Sequence, residues 1–246
     1  GRAYHLAMKK PGKFSSIKIA AATNTLILVM LVSLSLFALA PLADETTASA
    51  DGGPVYSAAS DDKISLMFNV YQGEEFVLDA LDLLDGYGAK CTFFVGGCWA
   101  DDHVDVLREI YARGHELGNH GYFHKDHKGM SQKGNLAEIE PTNALIEAVT
   151  GASPALFAPP SGSWDDATVA ACASIGMKTI MWSRDTIDWR DQNAAVIFTR
   201  ATKELKGGEL ILAHPTKATV EALPAILQYI DSAGLSAVTV TELFTE

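Results

Sequence analysis

Residues 63–95 read KISLMFNVYQGEEFVLDALDLLDGYGAKCTFFV: a strand, a helix and a second strand in immediate succession. Residues 64–70 form a near-continuous apolar run of strand length. Phe76, Leu78, Leu81 and Leu84 recur at helical spacing across 75–84, and Gly86 and Gly88 end the pattern. Residues 91–95 are strand-like again. Strands without alternating polarity are buried on both faces, which is the pattern of a parallel sheet covered by helices.

The alternation continues outward from this unit. Residues 103–112 are helical, 116–118 a short strand, and 136–149 helical with Pro141 near a kink or a helix start. A short extended piece at 156–158 precedes a helix at 165–175, with Asp165 suited to its first turn. A strand at 178–182, a helix at 194–205, a strand at 210–213, a helix at 219–230 that tolerates Pro224, and a last strand at 237–240 complete the series. About seven such units in one domain predict an α/β fold, closed or nearly closed as a distorted (β/α)7-type barrel. No Gly-x-Gly-x-x-Gly follows the first strand, so a dinucleotide-binding sheet is not expected.

The polar residues collect at strand ends. Asn69 and Glu75 follow the first strand, His120 and His124 the third, Pro159-Pro160 the fourth, Asp185 and Asp188 the fifth, and His214 the sixth. In a βα barrel these ends emerge on one rim, where catalytic residues of such barrels sit. Four of the seven histidines, His115, His120, His124 and His127, fall within thirteen residues. Two imidazoles four apart can close on one metal ion where the backbone coils for a turn. No His-Glu-x-x-His glutamate accompanies them, so the spacing alone leaves a His-rich surface loop open as well.

Residues 1–43 carry five basic residues and no acids. The uncharged stretch 19–43 follows Lys9, Lys10, Lys13 and Lys18, as in a secretory signal or a membrane anchor. The basic flank predicts a cytoplasmic segment 1–18 and export of the chain beyond residue 43. Met8-Lys9-Lys10 reads as a natural start, and residues 1–7 carry no weight in the fold reasoning. Residues 44–62, rich in Ala, Ser, Thr, Gly and Asp, read as a flexible linker, and 63–246 as one folded domain. Beyond residue 43 the chain holds 14 basic against 30 acidic residues, a net of −16. Such a surface repels nucleic acid. Cys91, Cys98 and Cys172 form no disulfide framework, and small buried side chains are the expectation. Nothing in the sequence sets an oligomeric state.

Three motifs carry a resemblance. His120-Gly121-Tyr122-Phe123-His124, Asp185-Thr186-Ile187-Asp188-Trp189 and Leu212-Ala213-His214 occur in order, with Gly114-His115-Glu116-Leu117-Gly118-Asn119 leading into the first. From 63 to 244 the chain resembles the NodB-homology polysaccharide deacetylases, carbohydrate esterase family four. The resemblance implies a hydrolase that removes N-acetyl groups from N-acetylhexosamine in a cell-wall glycan such as peptidoglycan, outside the membrane. It implies a divalent metal, zinc first and cobalt, nickel or manganese as substitutes, held by His120 and His124. It also implies His214 as the acid for the departing amine, oriented by Asp188, with Trp189, Tyr71 and Pro160 against the sugar.

Two other motifs depart from the family pattern. Where a Phe-Asp-Asp-Gly run is usual, Phe68-Asn69-Val70-Tyr71 stands here, as in a divergent branch. Asn69 takes the place of the base and Val70 that of a metal-ligating carboxylate, and neither side chain can do that work. Ala158 stands where an arginine is usual. Glu75 is the first substitute for both lost roles, third ligand and base, with its place at a helix N-terminus as the competing explanation. Glu74 is a second candidate base and His127 a second candidate ligand. Arg184 or Arg190 could replace the missing positive charge. A glycan-binding pseudoenzyme is the alternative that these losses imply.

Overall fold

The computed structural model describes residues 52–245. The segments 1–18 and 19–43, and the linker as far as residue 51, lie outside the described residues. Among the described residues no helix is long and apolar enough to cross a membrane.

The described elements run β1 (Lys63–Val70), α1 (Glu74–Gly86), β2 (Thr92–Val95), α2 (Gly97–Asp102), α3 (Val104–Ala112), β3 (Glu116–Asn119), α4 (Gln132–Thr150) and β4 (Leu156–Phe157). A 3-10 turn (Pro160–Gly162) leads to α5 (Asp166–Ser174), β5 (Lys178–Thr179), β6 (Arg184–Asp185), α6 (Ala194–Thr202), β7 (Leu210–Ala213), α7 (Lys217–Ser232), β8 (Ser236–Ala237) and α8 (Val240–Phe244). The strands pair in the order β5-β4-β3-β2-β1-β7-β6, all parallel, with β8 beside the start of β1. This is the expected α/β architecture, a parallel sheet curled into a distorted (β/α)7-type barrel.

β1 lies inside the sheet between β2 and β7, buried on both faces, and its alternation sets the site. Ile64, Leu66, Phe68 and Val70 pack outward with Phe93, Val95 and Ile211 against Leu81 and Leu84 of α1, Leu107 of α3 and Leu223 of α7. Met67 packs inward with Phe94, Leu210 and the residues Val240 and Leu243 of α8. With a period of two, Asn69 follows Met67 to the inner side and Val70 follows Phe68 to the outer side. Val70 is fully buried there.

The sheet does not close by strand pairing between β5 and β6. Residues 55–58 bridge the gap. Val55 pairs with Ile180, and its N–H donates to the Thr179 carbonyl at 2.9 Å. Ser57 pairs with Glu209, and the Ala58 N–H donates to the Gly208 carbonyl at 2.8 Å. Gly208 has φ +83, and a Cβ there would stand 2.1 Å from the Ala58 carbonyl oxygen, so the close approach requires glycine. This part of the 44–62 stretch is therefore built into the domain rather than free. Its backbone hydrogen bonds hold it where composition gave no signal.

Three boundaries differ from the sequence reading. The strand expected at 178–182 stops at Thr179, and β6 appears separately as two residues. Residues 237–240 do not form the last strand. Thr239 caps α8 by accepting the Glu242 N–H, which starts a helix at Val240. α2 was not expected, since six residues show too little periodicity. Asp165 caps α5 with a reciprocal capping box, one position before the helix.

Candidate active site at the strand ends

The C-terminal ends of β1, β3, β6 and β7 surround a cavity of about 520 Å³, a common size for a small-ligand site. Asn69, Tyr71, His120, His124, Asp185, Trp189 and His214 all line it, so residues far apart in sequence converge on one rim.

His120 directly follows β3 and is almost wholly buried. Its Nδ1 lies 2.7 Å from the Ala158 carbonyl oxygen, which can only accept, so Nδ1 carries the proton and Nε2 keeps its lone pair. Burial, and then the neighbouring His124, push the His120 pKa down to about 3. Burial also lowers that of His124. The two rings stand 5.0 Å apart at 71°. His124 adopts φ +54, and the Tyr71 ring lies against it at 4.5 Å.

The loop carrying His124 is fixed from α4. Glu138 is buried and accepts the Phe123 N–H at 2.9 Å and the Lys125 ammonium at 2.6 Å, gripping the chain on both sides of His124. His127 is buried too, which neither its reading as a ligand nor as a solvated loop residue anticipates. Its Nδ1 lies 2.6 Å from Asn135 Oδ1, and its Nε2 has no partner. It does not line the cavity.

Across the cavity, Asp188 is fully buried and its carboxylate has three hydrogen-bond partners. Oδ1 faces His214 Nδ1 at 2.7 Å, while Oδ2 accepts the His214 N–H at 2.7 Å and the Thr219 hydroxyl at 2.6 Å. Burial pushes this carboxyl up, and the hydrogen bonds from His214 and Thr219 outweigh it and hold it below the usual carboxylate range. The carboxylate fixes the proton of a neutral His214 on Nδ1 and leaves Nε2 to the cavity. Asp185 accepts the Ile187 N–H at 2.8 Å, tightening the turn that delivers Asp188. Trp189 is 61% exposed at the mouth.

The β1 side is different. Asn69 is 5% exposed, and its Oδ1 has no hydrogen-bond partner. Val70 points into the outer core. Glu75, expected as third ligand and base, is exposed on the first turn of α1 and does not line the cavity. Gly73, with φ +82, turns the chain out of β1 before the helix begins, so the first turn faces solvent. Glu74 sits 3.8 Å from His103, also outside the cavity. Pro160 is buried beneath the rim against Gly121, and its neighbours Ser161 and Gly162 line the cavity instead. Arg184 pairs with Glu209 at 2.6 Å and Arg190 with Asp191 at 2.9 Å, so both are engaged elsewhere. Cys91, Cys98 and Cys172 are free.

Trp182, Gln192 and Thr219 complete the surroundings and were not singled out from the sequence. Thr216 and Thr219, three apart after His214, gave a legible helix-capping signal, and Thr216 does cap α7. Trp182 and Gln192 gave none.

Among the described residues no group of three or more His, Cys, Asp or Glu side chains converges in a way that could hold a metal ion. A catalytic zinc site takes three protein ligands. Two neutral imidazoles beside an amide supply two ligands and no negative charge, so the donor set is incomplete for such an ion.

Residues 57–180 match a family model described as polysaccharide deacetylase. The chain is 37% identical over 194 residues to the uncharacterized protein YlxY of Bacillus subtilis, covering 78% of this chain and 61% of that protein. It is 30% identical to a peptidoglycan-N-acetylglucosamine deacetylase of Bacillus cereus, over 73% of this chain and 87% of that one. The fold superposes with a TM-score of 0.75 on wild-type BA3943 of Bacillus anthracis, described as a CE4 family pseudoenzyme, at 33% identity over 78% of this chain and 68% of that one. A BA3943 mutant described as having restored enzymatic activity aligns equally well, at 32% identity over 78% of this chain and 71% of that one.

Proposed function

The chain belongs to the polysaccharide deacetylase family, and on that premise we propose that it is a glycan-binding member whose hydrolytic site has lost one half. Its ligand is an N-acetylhexosamine unit of a cell-wall glycan, with peptidoglycan first. The observation that carries the reading is the end of β1. An amide, Asn69, lines the cavity where the family pattern has a carboxylate base, and the next residue, Val70, is turned into the core. Glu75 and Glu74 do not line the cavity, and Asp185, the carboxylate that does, accepts the Ile187 N–H within its own turn on the opposite wall. The exposed Trp189 and Tyr71 give the mouth aromatic faces on which a sugar ring can stack. The relatives named for peptidoglycan support the ligand class, and the pseudoenzyme BA3943 supports the loss of turnover. The same reading puts the domain outside the membrane, tethered by or released from segment 19–43. The lysine-flanked apolar stretch supports that location.

One observation favours a second reading, a slow metal-dependent N-deacetylase that uses zinc, cobalt, nickel or manganese. The His214–Asp188 pair is fully wired, and bare binding does not require a histidine held in one tautomer. General-base help is worth ~10²–10⁴-fold, so its loss alone leaves a slow enzyme.

One experiment separates the two readings. Binding of N-acetylated peptidoglycan fragments is measured by calorimetry in chelator, and acetate release is measured in each of the four metals. The expected result is binding that survives chelation, without acetate above background. Chelator-sensitive acetate release would establish the second reading. Absence of binding would refute the first.

A further inference from the structure

Ile187 stands in a conformation that its own side chain opposes. Its φ is +52, in the left-handed region. A residue branched at Cβ crowds its backbone there, and such a conformation persists only where the surroundings impose it. Among the described residues the other non-glycine residues with positive φ are His124, Ser161 and Glu204, none of them branched at Cβ.

The surroundings of Ile187 do impose it. The Thr186 N–H donates to the Leu212 carbonyl at 3.1 Å, which ties the start of the turn to β7. The Ile187 N–H donates to Asp185, and its carbonyl accepts the Asp191 N–H at 3.0 Å and the Arg190 N–H at 3.2 Å. The Gln192 side-chain amide donates to the Asp188 carbonyl. From α6, Arg200 reaches both ends of the turn. Its Nη1 donates to the Thr186 carbonyl at 3.0 Å and its Nη2 to the Asp191 carboxylate at 2.6 Å. The guanidinium groups of Arg190 and then Arg200 hold the Asp191 carboxyl well below the usual carboxylate range, so this end of the clamp stays charged. Arg200 itself does not line the cavity.

What the turn delivers is a pair of opposed side chains. Asp188 is fully buried against His214, and the next residue, Trp189, is exposed at the mouth. A relaxed backbone at Ile187 would re-aim both. We infer that Arg200 is a positioning residue for the Asp188–His214 pair: by clamping Thr186 and Asp191 it holds Ile187 left-handed, and that conformation aims the carboxylate at the imidazole. A rigid fork with several donors can meet a carbonyl and a carboxylate at once, which the single ammonium of a lysine does less well. The inference concerns how the wall is wired, and it goes beyond the question of whether the cavity binds a glycan or hydrolyses one.

The test reads the low-field proton resonance of the His214 Nδ1–H held by Asp188, assigned by its absence in His214→Gln. Arg200→Met keeps the apolar stem and removes both donors. It is expected to lose the resonance while remaining folded by circular dichroism. Glycine adopts positive φ without cost, so adding Ile187→Gly to Arg200→Met should restore the resonance, and Ile187→Gly alone should keep it. Ile187→Asn is the second rescue, because asparagine tolerates the left-handed region and keeps a side chain. A folded Arg200→Met that retains the resonance would show a merely structural arginine and overturn the inference. So would failure of both rescues, or loss of the resonance in Ile187→Gly alone. Binding of N-acetylated oligomers is a further readout, and it rests on the glycan-binding reading. Arg200→Met should weaken it about tenfold, the scale of the strain released, and Ile187→Gly should recover it. Failure of wild type to bind would refute the glycan-binding reading, and the resonance would still decide the role of Arg200.

Discussion

The two walls of the cavity come from one sheet, yet they have been treated differently. On the β6–β7 side, the carboxylate of Asp188 meets His214 twice and Thr219 once, and it is buried with all of them satisfied. On the β1 side, Asn69 has an amide oxygen without a partner and Val70 is turned to the core. A site decaying at random would lose its wiring on both walls. Here the His214–Asp188 wall is fully wired, while the end of β1 carries one side chain that packs and one amide oxygen without a partner. The difference teaches that one sheet can carry a fully satisfied carboxylate–histidine pair on one wall of a cavity and an unpartnered amide on the other.

The largest expected effect breaks the intact wall. Asp188→Ala should cost about 4 kcal/mol in urea unfolding at pH 7, because it strips a buried partner from His214 and Thr219. The pH dependence follows from the depressed carboxyl pKa. The stabilisation is present above the unfolded-state pKa of about 4 and is lost as pH falls through the lower folded-state value. The gap between wild type and Asp188→Ala should therefore hold from pH 7 to about pH 5 and narrow below pH 4. A gap that persists undiminished at the lowest pH would mean that the carboxylate's charge contributes nothing.

The next effect tests the replaced wall. Val70 is fully buried among apolar side chains of the outer layer, so Val70→Asp should cost roughly 3 kcal/mol and gain no metal. Urea unfolding with and without zinc measures both. A stable Val70→Asp protein that takes up stoichiometric zinc would show that the end of β1 can rotate toward the histidines, and the contrast between the walls would then be shallow.

This contrast was partly legible in the sequence. The βα alternation read correctly because each long strand is apolar on both faces, and the convergence of His120, His124, Asp188 and His214 followed from their places after strands. Strand β6 escaped because Arg184 and Asp185 are two polar residues with no periodicity. The bridge at 55–58 escaped because its hydrogen bonds are to backbone, which composition does not record. Glu75 was misplaced for a conformational reason. Sequence proximity to β1 suggested a return to the rim, but Gly73 turns the chain outward first. The burial of His127 is not legible because a histidine in a polar run carries no sign of it. The opposite directions of Asn69 and Val70, by contrast, follow from strand alternation alone once the neighbours of Phe68 are known.

A smaller effect sharpens the binding reading. Trp189 is largely exposed, with the Arg190 guanidinium 5.9 Å from its ring centroid. Trp189→Ala should leave the melting temperature within about 1 °C of wild type, as exposed substitutions do. It should weaken binding of N-acetylated oligomers about tenfold. Unchanged affinity would move the sugar away from the β6–β7 wall and leave that wall without a role in binding.

The smallest expected effect is on Glu75→Gln. If the carboxylate only favours the positive end of α1, its removal costs a few tenths of a kcal/mol at about neutral pH, and salt abolishes the difference. Glycan affinity, metal uptake and any acetate release should match wild type. The substitution matters because it isolates the one carboxylate near β1 that sequence order offered as a replacement for both lost roles. Were Glu75→Gln to abolish a metal-dependent signal, α1 would have to unwind past Gly73 to bring that side chain inward, and the β1 wall would be a movable half of a hydrolase rather than a fixed one.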